Sequence, residues 1–85
     1  SLARVLAPEI RVNAVCPALT EHGFVERLAP ESFAERKARQ IAVSPLKQIG
    51  KPEQVAESIY WLTASGEMMT GSLVDLDFGM HLNAT

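Results

Sequence analysis

The chain has 85 residues, 47 % of them apolar and 21 % charged, with 8 Lys and Arg against 10 Asp and Glu for a net charge of −2. That length allows at most one small domain, burying only roughly 60–65 % of the surface its unfolded chain exposes, and the composition is that of a soluble globular protein. The acidic balance excludes the basic footprint of a nucleic-acid or anionic-membrane surface, and no apolar run approaches the ~18–20 residues that span a bilayer.

Residues 1–7 place Leu2, Val5 and Leu6 at helical spacing, and Pro8 ends the pattern because the residue before a proline is pushed out of the α region. The helix is already under way at Ser1 with no initiator methionine, so the chain is expected to be the tail of a longer protein. Arg11-Val12-Asn13-Ala14-Val15-Cys16-Pro17 follows as a short strand, stopped by a proline that has no N–H for a ladder. Ile10, Val12, Ala14 and Cys16 would share one face and Arg11, Asn13 and Val15 the other. So apolar a run between helices reads as an interior strand of a parallel sheet, with Cys16 a buried, inert thiol. Nothing asks for an oxidising compartment, and a cytoplasmic setting is expected. In parallel sheets ligands bind beyond the carboxyl ends of the strands, which directs attention to the loop opened by Pro17.

From Pro17 to Gly50 there is no strand pattern. Phe24, Val25 and Leu28 suggest a helical turn stopped by Pro30. Ser32-Phe33-Ala34-Glu35 has the form of a capping box. It opens a helix with Phe33, Ala34, Ala38 and Ile41 on one side and a solvated charge cluster on the other, in which Glu35 and Arg39 are spaced as an i,i+4 pair. A connection this long usually forms a lid or binding loop, and the thin apolar stripe suggests a helix that docks when something lies beneath it.

Gly50-Lys51-Pro52 announces the best-specified helix, with Pro52 at its first position, Glu53 in its first turn and Gly66 beyond its end. Val55, Ala56, Ile59, Leu62 and Thr63 recur at helical spacing. Tyr60 and Trp61 diverge by ~100° about the axis, so one of them is expected at a neighbouring surface. Leu73-Val74-Asp75-Leu76-Asp77 is a second strand, interrupted at Asp75 by a group that must be wet or paired. The order of elements is that of an α/β protein with two parallel strands joined by a right-handed crossover. No Gly-x-Gly-x-x-Gly or P-loop pattern, metal-ligand spacing or activated nucleophile is present. His22 and His81 read most simply as structural residues, His81 as part of the tail. Composition and spacing alone therefore assign no catalytic residue and no metal ligand.

Three blocks nevertheless form a recognisable series. Ile10-Arg11-Val12-Asn13-Ala14-Val15-Cys16-Pro17, Gly50-Lys51-Pro52-Glu53-Gln54-Val55-Ala56, and Thr70-Gly71 followed by Val74-Asp75-Leu76-Asp77-Phe78-Gly79 together resemble the C-terminal portion of the short-chain dehydrogenase/reductase family. The resemblance implies the C-terminal part of a Rossmann-type, doubly wound parallel sheet. It makes 1–85 the last segment of a single NAD(P)-binding domain, with residues of about 20–48 as the substrate lid. It implies NAD or NADP as cofactor, a small-molecule carbonyl or alcohol as substrate, a homodimer or homotetramer, and no nucleic acid or membrane partner. The family's catalytic Ser, Tyr and Lys have no counterpart in these residues, so the resemblance places them upstream. It places Pro17, Ala18, Leu19, Thr20 and His22 against the nicotinamide, with the backbone of Thr20 at the carboxamide. Ala18 replaces a usual glycine, and alanine restricts positive φ. His22 replaces a threonine, and Phe78 another glycine. These substitutions leave a second possibility, a truncated or degenerate relative that only associates with other subunits.

Overall fold

The computed structural model describes residues 1–84; Thr85, the last residue of the expected segment, lies outside them. The elements run α1 (Leu2–Leu6), β1 (Ala14–Pro17), α2 (Phe24–Leu28), α3 (Pro30–Val43), α4 (Pro52–Ala64), β2 (Leu73–Leu76) and a closing 3-10 turn (Met80–Ala84). The two strands pair in parallel, with Ala14 opposite Leu73, Val15 opposite Val74, Cys16 opposite Asp75 and Pro17 opposite Leu76. No helix of the described chain is long and apolar enough to cross a membrane.

Helix α4 starts and stops for local reasons. Pro52 occupies its first turn, Lys51 is extended, and the Gln54 Oε1 atom accepts from the Lys51 amide at 2.9 Å, supplying the partner that a first-turn donor lacks. At the far end, a Cβ added to Gly66 would sit 2.7 Å from the Leu62 carbonyl oxygen. Glycine is there for close approach, and its φ is not in the left-handed region.

The carbonyls exposed by that ending are taken up by the segment before β1. The Arg11 guanidinium donates to the carbonyls of Gly66 (2.7 Å), Met69 (3.3 Å) and Thr63 (3.2 Å). Asn13 donates to Met69 O at 3.0 Å and accepts from the Ser72 amide at 3.0 Å. Backbone bonds from Gly71 N to Val12 O (2.7 Å) and from Ala14 N to Ser72 O (2.9 Å) continue into the ladder. The alternating polar side chains of the segment that leads into β1 thus point at the end of α4. The same face carries Val15, which lines a cavity with Ile59, Leu62 and Thr63 of α4.

The opposite sheet face is open. Ala14, Cys16, Leu73 and Asp75 are exposed, so Cys16 is an exposed free thiol where burial was expected. β1 has one partner strand among the described residues, and its other edge is free. The accessible surface is 6319 Å², against about 5,000 Å² for a compact monomer of this mass. The radius of gyration is 15.1 Å, against about 12 Å for a compact domain of this length. The buried apolar residues are few: Ala3, Phe33, Ile49 and Leu62.

Helix α3 departs from its expected stripe. It begins at Pro30, and the Ser32 hydroxyl, inside the helix, donates to the Ala29 carbonyl at 3.2 Å. Phe33, Gln40 and Ser44 turn inward, while Ala34, Ala38 and Ile41 are exposed. Glu35 and Arg39 form no ion pair among the described residues; the helix's cation in use is Lys37, 3.3 Å from Glu21. The apolar count missed this face because two of its three buried members are polar.

Replacing Arg11 by Leu strips three carbonyls of a charged donor in a partly buried setting. In the intact protein we expect a loss of about 2 kcal/mol, read as a lower urea midpoint, whereas Arg4→Ala at the exposed surface changes little. An unchanged midpoint for Arg11→Leu would show that the guanidinium does not hold α4 to the sheet.

Candidate functional site

β1 delivers the chain to its carboxyl end with Pro17, and the ladder adds one more bond, from Ala18 N to Leu76 O at 3.1 Å. The loop then runs beside the entry to α4. Gly50 N donates to Leu19 O and Glu21 N to Gly50 O, both at 2.9 Å, pairing Thr20 with Gly50 as an isolated parallel bridge. This alternation leaves the N–H and C=O of Thr20 facing away from Gly50. The carbonyl accepts from Gly23 N at 3.3 Å; the amide donates to no group among the described residues. The Thr20 hydroxyl donates back to Ala18 O at 3.0 Å. A Cβ on Gly50 would lie 3.1 Å from that hydroxyl oxygen, so glycine lets the two segments meet.

Pro17, Ala18, Leu19, Thr20 and His22 all line one cleft of about 700 Å³, closed on its other sides by Phe24 and Val25 of α2 and by Val55, Ala56 and Ile59 of α4. Its walls are mostly apolar, with one free amide in the loop, the usual makeup of a small-molecule pocket. Ala18 adopts no positive φ; among the described non-glycine residues His22, Lys47 and Phe78 do. Alanine at position 18 is therefore unstrained. His22 (φ 60) donates its amide to the Glu26 carboxylate, and its exposed imidazole lies 3.7 Å from the same group.

A second cavity, of about 300 Å³, sits at the carboxyl end of β2 and includes Thr20, Ser58, Asp75, Asp77 and His81. His81, read from the sequence as a tail residue, is tied here. Its ring Nδ1 is 3.1 Å from both Asp77 carboxylate oxygens and its amide donates to one at 3.0 Å, while Gly79 N donates to the other at 3.1 Å. Asp75 stands 4.0 Å from the same imidazole. Partial burial pulls the Asp77 carboxyl upward. The His81 ring and amide, the Gly79 amide and the imidazole's charge outweigh it, and the group lies below its ordinary 3.8. The i,i+4 spacing of Asp77 and His81 was the available sequence signal. Phe78 between them has φ 53 and Gly79 φ 87; for phenylalanine this left-handed backbone costs about 1–2 kcal/mol, the reason glycine would suit the position.

A family model described as Enoyl-(Acyl carrier protein) reductase matches residues 1–81. Galactitol 2-dehydrogenase of Rhizobium johnstonii is 38 % identical over 84 residues, covering 92 % of this chain and 32 % of that protein. Among solved structures, a putative short-chain dehydrogenase/reductase from Burkholderia xenovorans superposes with a TM-score of 0.75 at 34 % identity, covering 95 % of this chain and 28 % of that one. A small-chain dehydrogenase in complex with NADPH gives 0.80 at 31 %, covering 95 % and 36 %. The chain spans about a third of the length of the relatives it matches.

Because the Asp77 carboxyl is depressed in the folded state, its contribution is present above the unfolded value of about 3.9 and is lost as pH falls through the lower folded value. The stability gap between wild type and Asp77→Asn should be open at pH 7 and begin to narrow as the pH falls below about 4, as read from urea midpoints at pH 7 and pH 3. A gap independent of pH would mean that the charge on Asp77 contributes nothing.

Proposed function

Because this chain belongs to the short-chain dehydrogenase/reductase family, we propose that it forms the C-terminal portion of an NAD(P)(H)-dependent oxidoreductase interconverting a carbonyl and an alcohol. The observation that carries this reading is the unpartnered Thr20 amide in an apolar cleft at the carboxyl end of a parallel strand. A bound dinucleotide supplies the hydride donor or acceptor at its nicotinamide ring. The chain's own part would be to bind and orient that ring: Thr20 would offer its free amide to the carboxamide, and Pro17, Ala18, Leu19 and His22 would supply the cleft wall around it. Proton transfer is assigned to residues carried elsewhere in the intact enzyme.

The segment 20–48 serves as the substrate lid in this reading. Support comes from its position, rising from the cleft's rim and returning to it at Gly50, and from the Lys37–Glu21 ion pair that links α3 to the loop. A homodimer or homotetramer is the assembly proposed, supported by the aromatic pair Tyr60 and Trp61, 71 % and 53 % exposed on α4, and by Leu73, 66 % exposed on β2. Exposed aromatic surface of this kind marks interaction sites.

The test is titration of the intact protein with NADH and NADPH, followed by the dihydronicotinamide fluorescence. One of the two should bind at micromolar concentration. Thr20→Pro, which deletes the amide donor, should weaken binding at least tenfold, about 1.4 kcal/mol, while Thr20→Ala, which keeps it, should stay within about threefold. Assembly into an oligomer that binds neither nucleotide would instead establish a purely associative role for the chain.

A further inference from the structure

Gln40 is 8 % exposed, lies in the last turn of the lid helix, and reaches out of its own element at both ends of its amide. Its Oε1 accepts from the Leu19 backbone amide at 3.3 Å, and its Nε2 donates to the Gln48 carbonyl at 3.2 Å. Ser44, one turn on and fully buried, accepts from the Gln48 amide at 3.2 Å. Gln40 and Ser44 thus share a helix face that holds the lid's return segment, while Gln40 alone also reaches the loop after β1. No buried side-chain nitrogen or oxygen among the described residues lacks a partner.

Leu19 is consequently gripped from two directions. Its amide is held by Gln40 of α3, and its carbonyl by the Gly50 amide at 2.9 Å, just ahead of α4. The next amide along the chain is that of Thr20, free to serve a ligand. The Leu19 carbonyl and the Thr20 N–H belong to one planar peptide, which the Gly50 amide holds directly while Gln40 holds the peptide before it; the orientation of the Thr20 N–H is thus set before anything binds, which reduces the ordering cost of binding. Glutamine is suited to this place because it presents an acceptor and a donor on one short planar group. Glutamate would keep the acceptor and lose the donor; leucine would lose both.

We infer that Gln40 is a positioning residue: a buried polar strut through which the lid helix fixes the nicotinamide-facing amide of Thr20. This rests on the cofactor reading above and extends it to a residue that touches no ligand. It couples the lid to the cofactor loop, so that the residue at position 40 affects the nicotinamide pose as well as the lid's own packing.

The experiment compares NADH with ADP-ribose, which lacks the nicotinamide, on the intact wild-type protein and on Gln40→Leu and Gln40→Glu. Gln40→Leu should weaken NADH about tenfold and leave ADP-ribose within about twofold. Gln40→Glu, which retains the acceptor for Leu19, should recover NADH binding to within about threefold of wild type. In nucleotide-free protein, hydrogen exchange at the Leu19 amide should accelerate about tenfold in Gln40→Leu and not in Gln40→Glu. Equal weakening of both ligands, or unchanged exchange at Leu19, would reduce Gln40 to a general packing role and overturn the strut. Wild-type protein that binds NADH with Gln40→Leu unaffected overturns the strut alone; wild-type protein that binds neither ligand overturns the cofactor reading and the strut with it.

Discussion

The grip of Arg11 and Asn13 on the carbonyls of Thr63, Gly66 and Met69 is the constraint from which the rest of the arrangement follows. A helix end leaves carbonyls without partners, and a guanidinium satisfies several of them with charge-assisted bonds. Fixing the end of α4 beside the start of β1 fixes where Thr70, Gly71 and Ser72 pass, and those residues feed β2 into its register. The other end of α4 is thereby carried to the carboxyl edge of the sheet. There Gly50 meets Thr20, and the cleft forms in the angle between them.

Around the cleft, the chain relies on polar struts where an apolar contact might have been expected. The loop after β1 carries backbone groups that must find partners wherever water is kept out. They find Gly50 on one side and Gln40 on the other. Phe33 adds apolar contact to α3, but the continuous line Gln40, Ser44 and Gln48 is hydrogen-bonded. Such a network fixes one geometry more sharply than a greasy face would, because each member has a partner at a defined distance.

The surface balance is equally informative. Roughly 1,300 Å² more area is exposed than a compact monomer of this mass would show. Much of it is apolar: Leu2, Val5, Ile10 and Leu73 are each more than half exposed. The sheet has an open face and a strand edge without a neighbour among the described residues, and an uncovered edge of this kind invites pairing.

Much of this was legible in the residues themselves. The proline and glycine punctuation at Pro8, Pro17, Pro52 and Gly66 bounds the elements, and the spacing of Val55, Ile59 and Leu62 marks α4. The three blocks of family-like sequence carry the fold class and point to the loop of Pro17, Ala18, Leu19, Thr20 and His22. These are local rules, in which each residue acts on its own few neighbours. What periodicity could not supply depended on partners far along the chain. Arg11 looked like the polar side of a strand, yet its hydrogen bonds span more than fifty positions. Gln40 stood off the expected stripe because a hydropathy pattern cannot tell a solvated amide from one buried between two backbone groups. Cys16 lies in a stretch whose pattern is that of an interior strand and predicts burial, whereas the tertiary structure places it on the open face of the sheet. Sequence by itself determined which segments become helix and strand, since dihedral preference and capping are local; only the tertiary structure decided which polar groups meet, because a hydrogen bond is fixed by distance and direction in space.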